Sequence, residues 1–178
     1  MKRRARVLFP LLVALLLIPL IATAQTRLFF GAGMTAPNGE YGEYANTGWL
    51  VNAGLGFPLK NPKLGVNISG WYGGNSHSDF EGDATTLYGA FGHLTYRFHE
   101  PQKVGLFAGA GAGFLAHSYR SEQFSEEEHT DTGFAYSLLA GLDIPLKKLG
   151  LFLLAGWVGG DDTMIRLMAG LAIPLGGN

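Results

Sequence analysis

Seven stretches of this chain alternate with a period of two residues, and in each the more apolar parity carries no charge. In residues 49–57, one parity reads Trp, Val, Ala, Leu, Phe and the other Leu, Asn, Gly, Gly. The same pattern returns at 64–72, 88–98, 104–116, 134–146, 149–157 and 165–175, with a shorter, less regular eighth stretch at 28–34. Successive residues of a β-strand point to opposite faces, so this period marks a sheet whose two faces meet different surroundings. On the apolar parity of the seven clear stretches there is no Asn, Gln, Ser, Thr or His either. A soluble sheet hides its apolar face and shows water a polar one. Here the second face is glycine-rich and only partly polar. The pattern therefore predicts an apolar face toward lipid and a mixed face lining the inside of a closed barrel. Closure follows because an open strand edge would leave backbone groups unsatisfied in hydrocarbon.

The connections sort by length. Short turns are predicted at 60–63, 99–103 and 147–148, and longer polar links at 35–46, 73–83 and 120–131, with a shorter one at 159–163. Eight strands joined this way form an all-β, antiparallel up-and-down barrel with both ends of the mature chain at the short-turn end. Ahead of the strands, Lys2, Arg3, Arg4 and Arg6 precede an apolar run at 7–21 and the small-residue segment Ala22-Thr23-Ala24. Those three parts predict a cleavable signal peptide over 1–24, leaving 25–178 as one barrel domain. The apolar run is too short to span a bilayer as a helix, which takes about 20 residues. Removing the signal takes four basic residues and moves the net charge from −1 to −5.

Composition excludes other classes. Apolar residues make up 47% and charged residues 15%, the reverse of a disordered chain. There are no cysteines, so disulfide scaffolds, thiol nucleophiles and thiolate metal sites are out. The absence of a basic excess speaks against nucleic acid as a partner.

Parity assigns side chains to each face. Asn52, Asn67, Ser69, His93, Thr95, Arg97, His117, Ser137, Asp143 and Arg166 are the expected polar lumen residues, and Trp71, Phe91, Phe107, Phe152 and Leu154 the apolar ones. On the lipid parity, Trp49, Tyr72, Tyr88, Phe134, Tyr136 and Trp157 fall near the loop end, and Phe57, Tyr96 and Phe98 near the turn end. Two such belts suit the two membrane interfaces. An eight-stranded barrel is just wide enough to be filled by side chains or to hold one small ligand, which excludes a wide pore. The inward parity also carries many glycines, read either as room for a tight barrel to close or as a narrow conduit or pocket. Arg97 and Asp143 fall at similar depth on the fourth and sixth strands and are expected to pair across the lumen.

These features, with glycine-rich strands such as Val-Gly-Leu-Phe-Ala-Gly-Ala-Gly-Ala-Gly-Phe at 104–114, resemble the small eight-stranded outer-membrane β-barrel proteins of Gram-negative bacteria, the OmpX-like and OmpW-like group. The resemblance covers the whole mature chain. It implies residence in the outer membrane, outer-membrane lipids as neighbours and the outer-membrane assembly machinery as a partner during biogenesis. It implies a structural or cell-surface interaction role, with an OmpW-like conduit or binding barrel for small, partly apolar solutes as the alternative. One departure is visible: the chain ends Leu-Ala-Ile-Pro-Leu-Gly-Gly-Asn, without the aromatic that usually closes the family's last strand.

Charge is sorted along the barrel axis. Glu40, Glu43, Asp79, Glu81, Asp83, Glu122, Glu126, Glu127, Glu128, Asp131, Asp161 and Asp162 fall at the loop end, and Lys60, Lys63, Lys103, Lys147 and Lys148 at the turn end. The acids are expected to solvate the loops, with divalent cations or a surface partner as the sharper reading. No calcium-loop spacing is present, and no metal or other cofactor is expected. A lipid-modifying enzyme is the remote alternative. Its candidate groups are His117 and Ser118 with Glu122, or His77 and Ser78 with Asp79. His117 and Ser118 would face opposite sides of one strand, so catalysis is not expected.

Overall fold

The computed structural model describes residues 26–77, 84–100, 102–120 and 129–175. The signal segment and Ser78, Asp79, Glu81, Asp83, Glu122, Glu126, Glu127 and Glu128 lie outside the described residues. Eight strands form a closed barrel in sequence order: β1 (Thr26–Asn38), β2 (Gly48–Pro58), β3 (Leu64–Ser76), β4 (Ala84–Arg97), β5 (Gly105–Arg120), β6 (His129–Pro145), β7 (Gly150–Gly159) and β8 (Thr163–Leu175). A one-turn helix, α1 (Tyr41–Tyr44), sits in the β1–β2 link.

Every pairing is antiparallel, and β1 closes on β8 from Thr26↔Leu175 to Asn38↔Thr163. The register fixes the width. Directly opposed residues run from Arg27 through Gly56, Asn67, His93, Gly111, Ser137, Val158 and Met164, and return to β1 at Pro37, ten residues further along. That stagger over eight strands tilts them by roughly 40° and sets a backbone cylinder roughly 16 Å across. Side chains fill an interior of that size.

The two parities separate as the alternation requires. Ile68, Leu94, Leu106, Phe114, Leu138 and Leu167 are each more than half exposed on the outside. Exposed aliphatic area on this scale belongs against lipid. The inward neighbours Ser69, His93, Thr95, Ser137 and Arg166 are buried.

At the loop end the strands run beyond the apolar alternation: β1 to Asn38, β3 to Ser76 and β5 to Arg120, with β6 starting at His129. There the wall carries Thr85, Thr86, Ser118, Thr130 and Thr132. Outside the bilayer, backbone pairing continues although no lipid demands an apolar outer face. The links predicted at 35–46, 73–83 and 120–131 are correspondingly shorter. The helix α1 was not anticipated, since one turn is too short to show a helical period.

Candidate functional site: a plugged lumen between a cavity and a vestibule

The loop-side half of the lumen is solid. Leu50, Leu87, Phe91, Leu115, Val158 and Met164 form its centre, joined by Trp71, Ala135 and Met168 and capped by Tyr41 and Ala45. The Trp71 and Phe91 rings stack with centroids 4.2 Å apart and planes 12° from parallel. His93 stacks on Phe91 at 5.8 Å. The Arg166 guanidinium carbon lies 3.9 Å from the Trp71 ring centroid, and Nη2 donates to Ser137 Oγ at 3.2 Å. Gly156 makes this reach possible, since a Cβ there would stand 2.7 Å from Arg166 Nε. Among the described residues no carboxylate forms a salt bridge with Arg166, although the residue is only 2% exposed.

Below the plug, toward the short turns, lies a cavity of about 90 Å³. Phe107, Phe152 and Leu154 line it together with Asn52, Asn67, Ser69, His93 and Thr95. Asn52 Nδ2 donates to Gly70 O at 3.3 Å, and Thr95 Oγ1 to Gly65 O at 3.2 Å. Arg97 Nε donates to Asp143 Oδ2 at 2.8 Å. The two strands are separated by β5, and Phe107 stands opposite both Arg97 and Gly141. Several inward glycines are covered rather than hollow. Phe107 Cζ would lie 2.5 Å from a Cβ at Gly141, and Phe152 occupies the space over Gly31 and Gly170. Much of the volume the glycines release is thus taken by rings from neighbouring strands.

Above the plug is a vestibule of about 430 Å³, lined by Tyr41, Tyr44, Tyr119, His77, His117 and the carboxylates of Asp131, Asp161 and Asp162. The structure places His117 here, above the lumen proper, stacked on Tyr41 (centroids 5.6 Å, 8°) with its Nδ1 against the Asp162 carboxylate. Burial pushes the Tyr41 phenol well above the ordinary tyrosine range, and the nearby Asp162 carboxylate adds to the shift. Partial burial raises Tyr44 as well, helped by Asp162 and Glu40. Asn75, 2% exposed, ties this end together. Its Nδ2 donates to Asn46 O at 2.6 Å and to Thr35 Oγ1 at 3.1 Å, while its Oδ1 accepts from Tyr41 Oη at 3.5 Å. Sequence reasoning passed over Asn75, Thr35 and Tyr41 because they fell in a stretch read as loop.

On the outer surface Trp49 packs edge-on against Tyr72 (5.6 Å), Tyr136 against Trp157 (5.4 Å) and Tyr96 against Phe98 (5.2 Å). Phe134 meets Phe114 at 6.2 Å, an aromatic the sequence reading left out of its belt. Tyr88 is exposed, while Phe57 is half-buried. The candidate catalytic neighbours His117 and Ser118 do not meet. His117 turns to Asp162, and Ser118, buried on the opposite parity, accepts from Thr130 Oγ1 at 3.2 Å.

A closed antiparallel meander of eight strands, apolar outside and filled inside, with its described ends together at the short-turn end, defines a small transmembrane β-barrel of the outer-membrane type. The chain belongs to the family described as outer membrane protein beta-barrel domain, which matches residues 10–176. A comparison with curated protein sequences finds no significant match. Among solved structures, Neisserial surface protein A (NspA) superposes with a TM-score of 0.69 at 13% identity, covering 85% of this chain and 98% of that one. Ail, the attachment invasion locus protein of Yersinia pestis, gives 0.59 at 14% identity over 85% and 98%. A major outer membrane protein from Thermus thermophilus gives 0.58 at 12% over 86% and 100%. These likenesses are of fold. The protein is an outer-membrane barrel with its termini in the periplasm and lipid and the assembly machinery as general partners.

Proposed function

We propose that this protein is a closed outer-membrane barrel that acts at the cell surface or in the envelope structure through its loop end. Residues 1–24 direct export and are removed before Gln25. The two outer aromatic belts, Trp49, Tyr72, Tyr88, Phe134, Tyr136 and Trp157 above and Phe57, Tyr96 and Phe98 below, seat it at the two interfaces. The observation that carries this reading is the packed plug around Trp71, Phe91, Leu50 and Met164, which fills the loop-side lumen. It argues against the through-conduit alternative and leaves the loop surface as the place of action.

Ail has been crystallised with the heparin analogue sucrose octasulfate. The loop end here carries Glu40, Glu43, Asp131, Asp161 and Asp162, which repel a polysulfate and favour a basic partner surface or divalent cations. Catalysis plays no part in this reading.

The test uses purified protein in planar bilayers and in nanodiscs. The bilayers should show no ion conductance. Nanodisc-bound protein should capture a polylysine peptide in low salt and leave heparin unbound. Steady conductance would overturn the closed barrel, and heparin capture without polylysine capture would overturn the surface assignment.

A further inference from the structure

The cavity beneath the plug has an unusual charge count. Arg27, Arg97 and Arg166 line it, and among the described residues Asp143 is the one carboxylate beside them. Asp143 is held by Arg97 and also attracts Arg27, so one carboxylate serves three guanidinium groups in a narrow, partly desolvated lumen. Cation–π contact and the Ser137 hydroxyl steady Arg166 without neutralising it. Desolvating a charge is costly unless an opposite charge joins it. His93 Nε2, also lining the cavity, and Arg166 Nε are buried atoms with no hydrogen-bond partner. Among the described residues no second carboxylate lines the cavity, and an anion entering from the periplasm would supply the opposite charge.

The walls say what kind of anion fits. Strands β2, β3 and β4 present Asn52, Asn67, Ser69, His93 and Thr95, whereas β5 to β8 present Phe107, Leu139, Phe152, Leu154 and Met168 around the charged Asp143 and Arg166. One wall can hydrogen-bond and the other can cover an alkyl chain. Trp71 and Phe91 close the cavity above, and its lining descends to Pro58, Gly65 and Ala172 near the periplasmic strand ends. At roughly 10–15 Å³ of such volume per water-sized group, about 90 Å³ takes six to nine heavy atoms. A lipid or a nucleotide is far too large, and a halide leaves the apolar wall unused.

We propose that the periplasmic half of the lumen is a blind binding site for a short-chain carboxylate, its head near Arg166 and His93, its tail against Phe107 and Phe152, and Arg27 at its periplasmic mouth. The proposal rests on the closed lumen described above and is independent of the surface role. The barrel then serves as a periplasm-facing receptor or store for small amphiphilic acids, and not as their conduit.

Calorimetric titration of the full mature barrel in nanodiscs with hexanoate tests this, with hexan-1-ol and chloride as controls. Hexanoate should bind one per barrel, at least tenfold tighter than hexan-1-ol, and chloride at equal concentration should not displace it. Arg166→Met should abolish binding. Since that change also disturbs the plug, Arg27→Gln at the periplasmic end of β1 is the second variant, and it should weaken hexanoate at least fivefold with hexan-1-ol unchanged. Equal affinity for acid and alcohol, displacement by chloride, or no binding to the folded wild type would each overturn the proposal. Ion conductance would instead strike at the closed barrel, so the two failures are distinguishable.

Discussion

Replacing Asp143 with Asn is the sharpest single perturbation of this lumen. The Arg97–Asp143 contact is 2.8 Å, with the two side chains 15% and 23% exposed. Two unit charges about 4 Å apart at an effective dielectric constant near 20 attract by roughly 4 kcal/mol. Desolvation and side-chain ordering cancel much of that, leaving a net coupling of about 1–2 kcal/mol. The single variants should not be equivalent. Asp143→Asn leaves Arg27, Arg97 and Arg166 facing one cavity with no acid among its described residues, so it should cost about 2–3 kcal/mol, discounted from the fully buried case for partial exposure. Arg97→Gln removes one of three like charges along with the bond and should cost only about 1 kcal/mol. The double variant should be more stable than Asp143→Asn alone. Reversible urea unfolding in lipid vesicles, followed by tryptophan fluorescence, gives all four corners of the cycle. Coupling below about 0.5 kcal/mol, or Arg97→Gln costing more than Asp143→Asn, would refute the argument.

Further outcomes follow from the same geometry. Ala110, exposed on the outside of β5 between Leu94 and Leu138, should tolerate Arg only at a cost of roughly 2–4 kcal/mol in the same unfolding assay. A cost near zero would mean that it does not face lipid. Asn75→Ala should leave the Asn46 carbonyl and the Thr35 hydroxyl short of a buried partner and cost about 1–3 kcal/mol, with faster proteolysis of the first loop as a second readout. In a spectrophotometric titration, Tyr41 should still be neutral when ordinary tyrosines ionise near pH 10. Its contribution to docking α1 is whole below that pH and is lost as pH rises toward its own higher value. Tyr41→Phe should delete one late-ionising tyrosine, and an unchanged curve would refute the burial argument.

Within the bilayer the sequence is nearly a map of the fold. Lipid admits no polar side chain on the outer parity, so Val51, Leu94, Leu138 and Leu167 had to alternate with the lumen residues. The Arg97–Asp143 pair was legible for the same reason, since parity set direction and distance from the turn set depth. Beyond the membrane that constraint ends. Asn75 and Thr35 lie buried on strands there, yet polar residues on both faces of a strand read like loop residues. Arg27 was missed because the first stretch was read as beginning one residue later. The plug was only half visible: Trp71 and Phe91 were expected inside, but their stacking and the seat of Arg166 over Gly156 depend on contacts between strands far apart in sequence.

The pairing of Thr26 with Leu175 has a consequence for the order of the chain. The first and last described residues stand side by side at the turn end, about as close as any two neighbours across a ladder. A short linker there and a cut at Lys147-Lys148 would leave all eight strand pairings in place while starting the chain at β7 and ending it at β6. The ring has no intrinsic first strand. Which strand is last is therefore a matter of delivery, because the machinery that inserts such barrels meets the strands in chain order, while the finished wall holds them as equals.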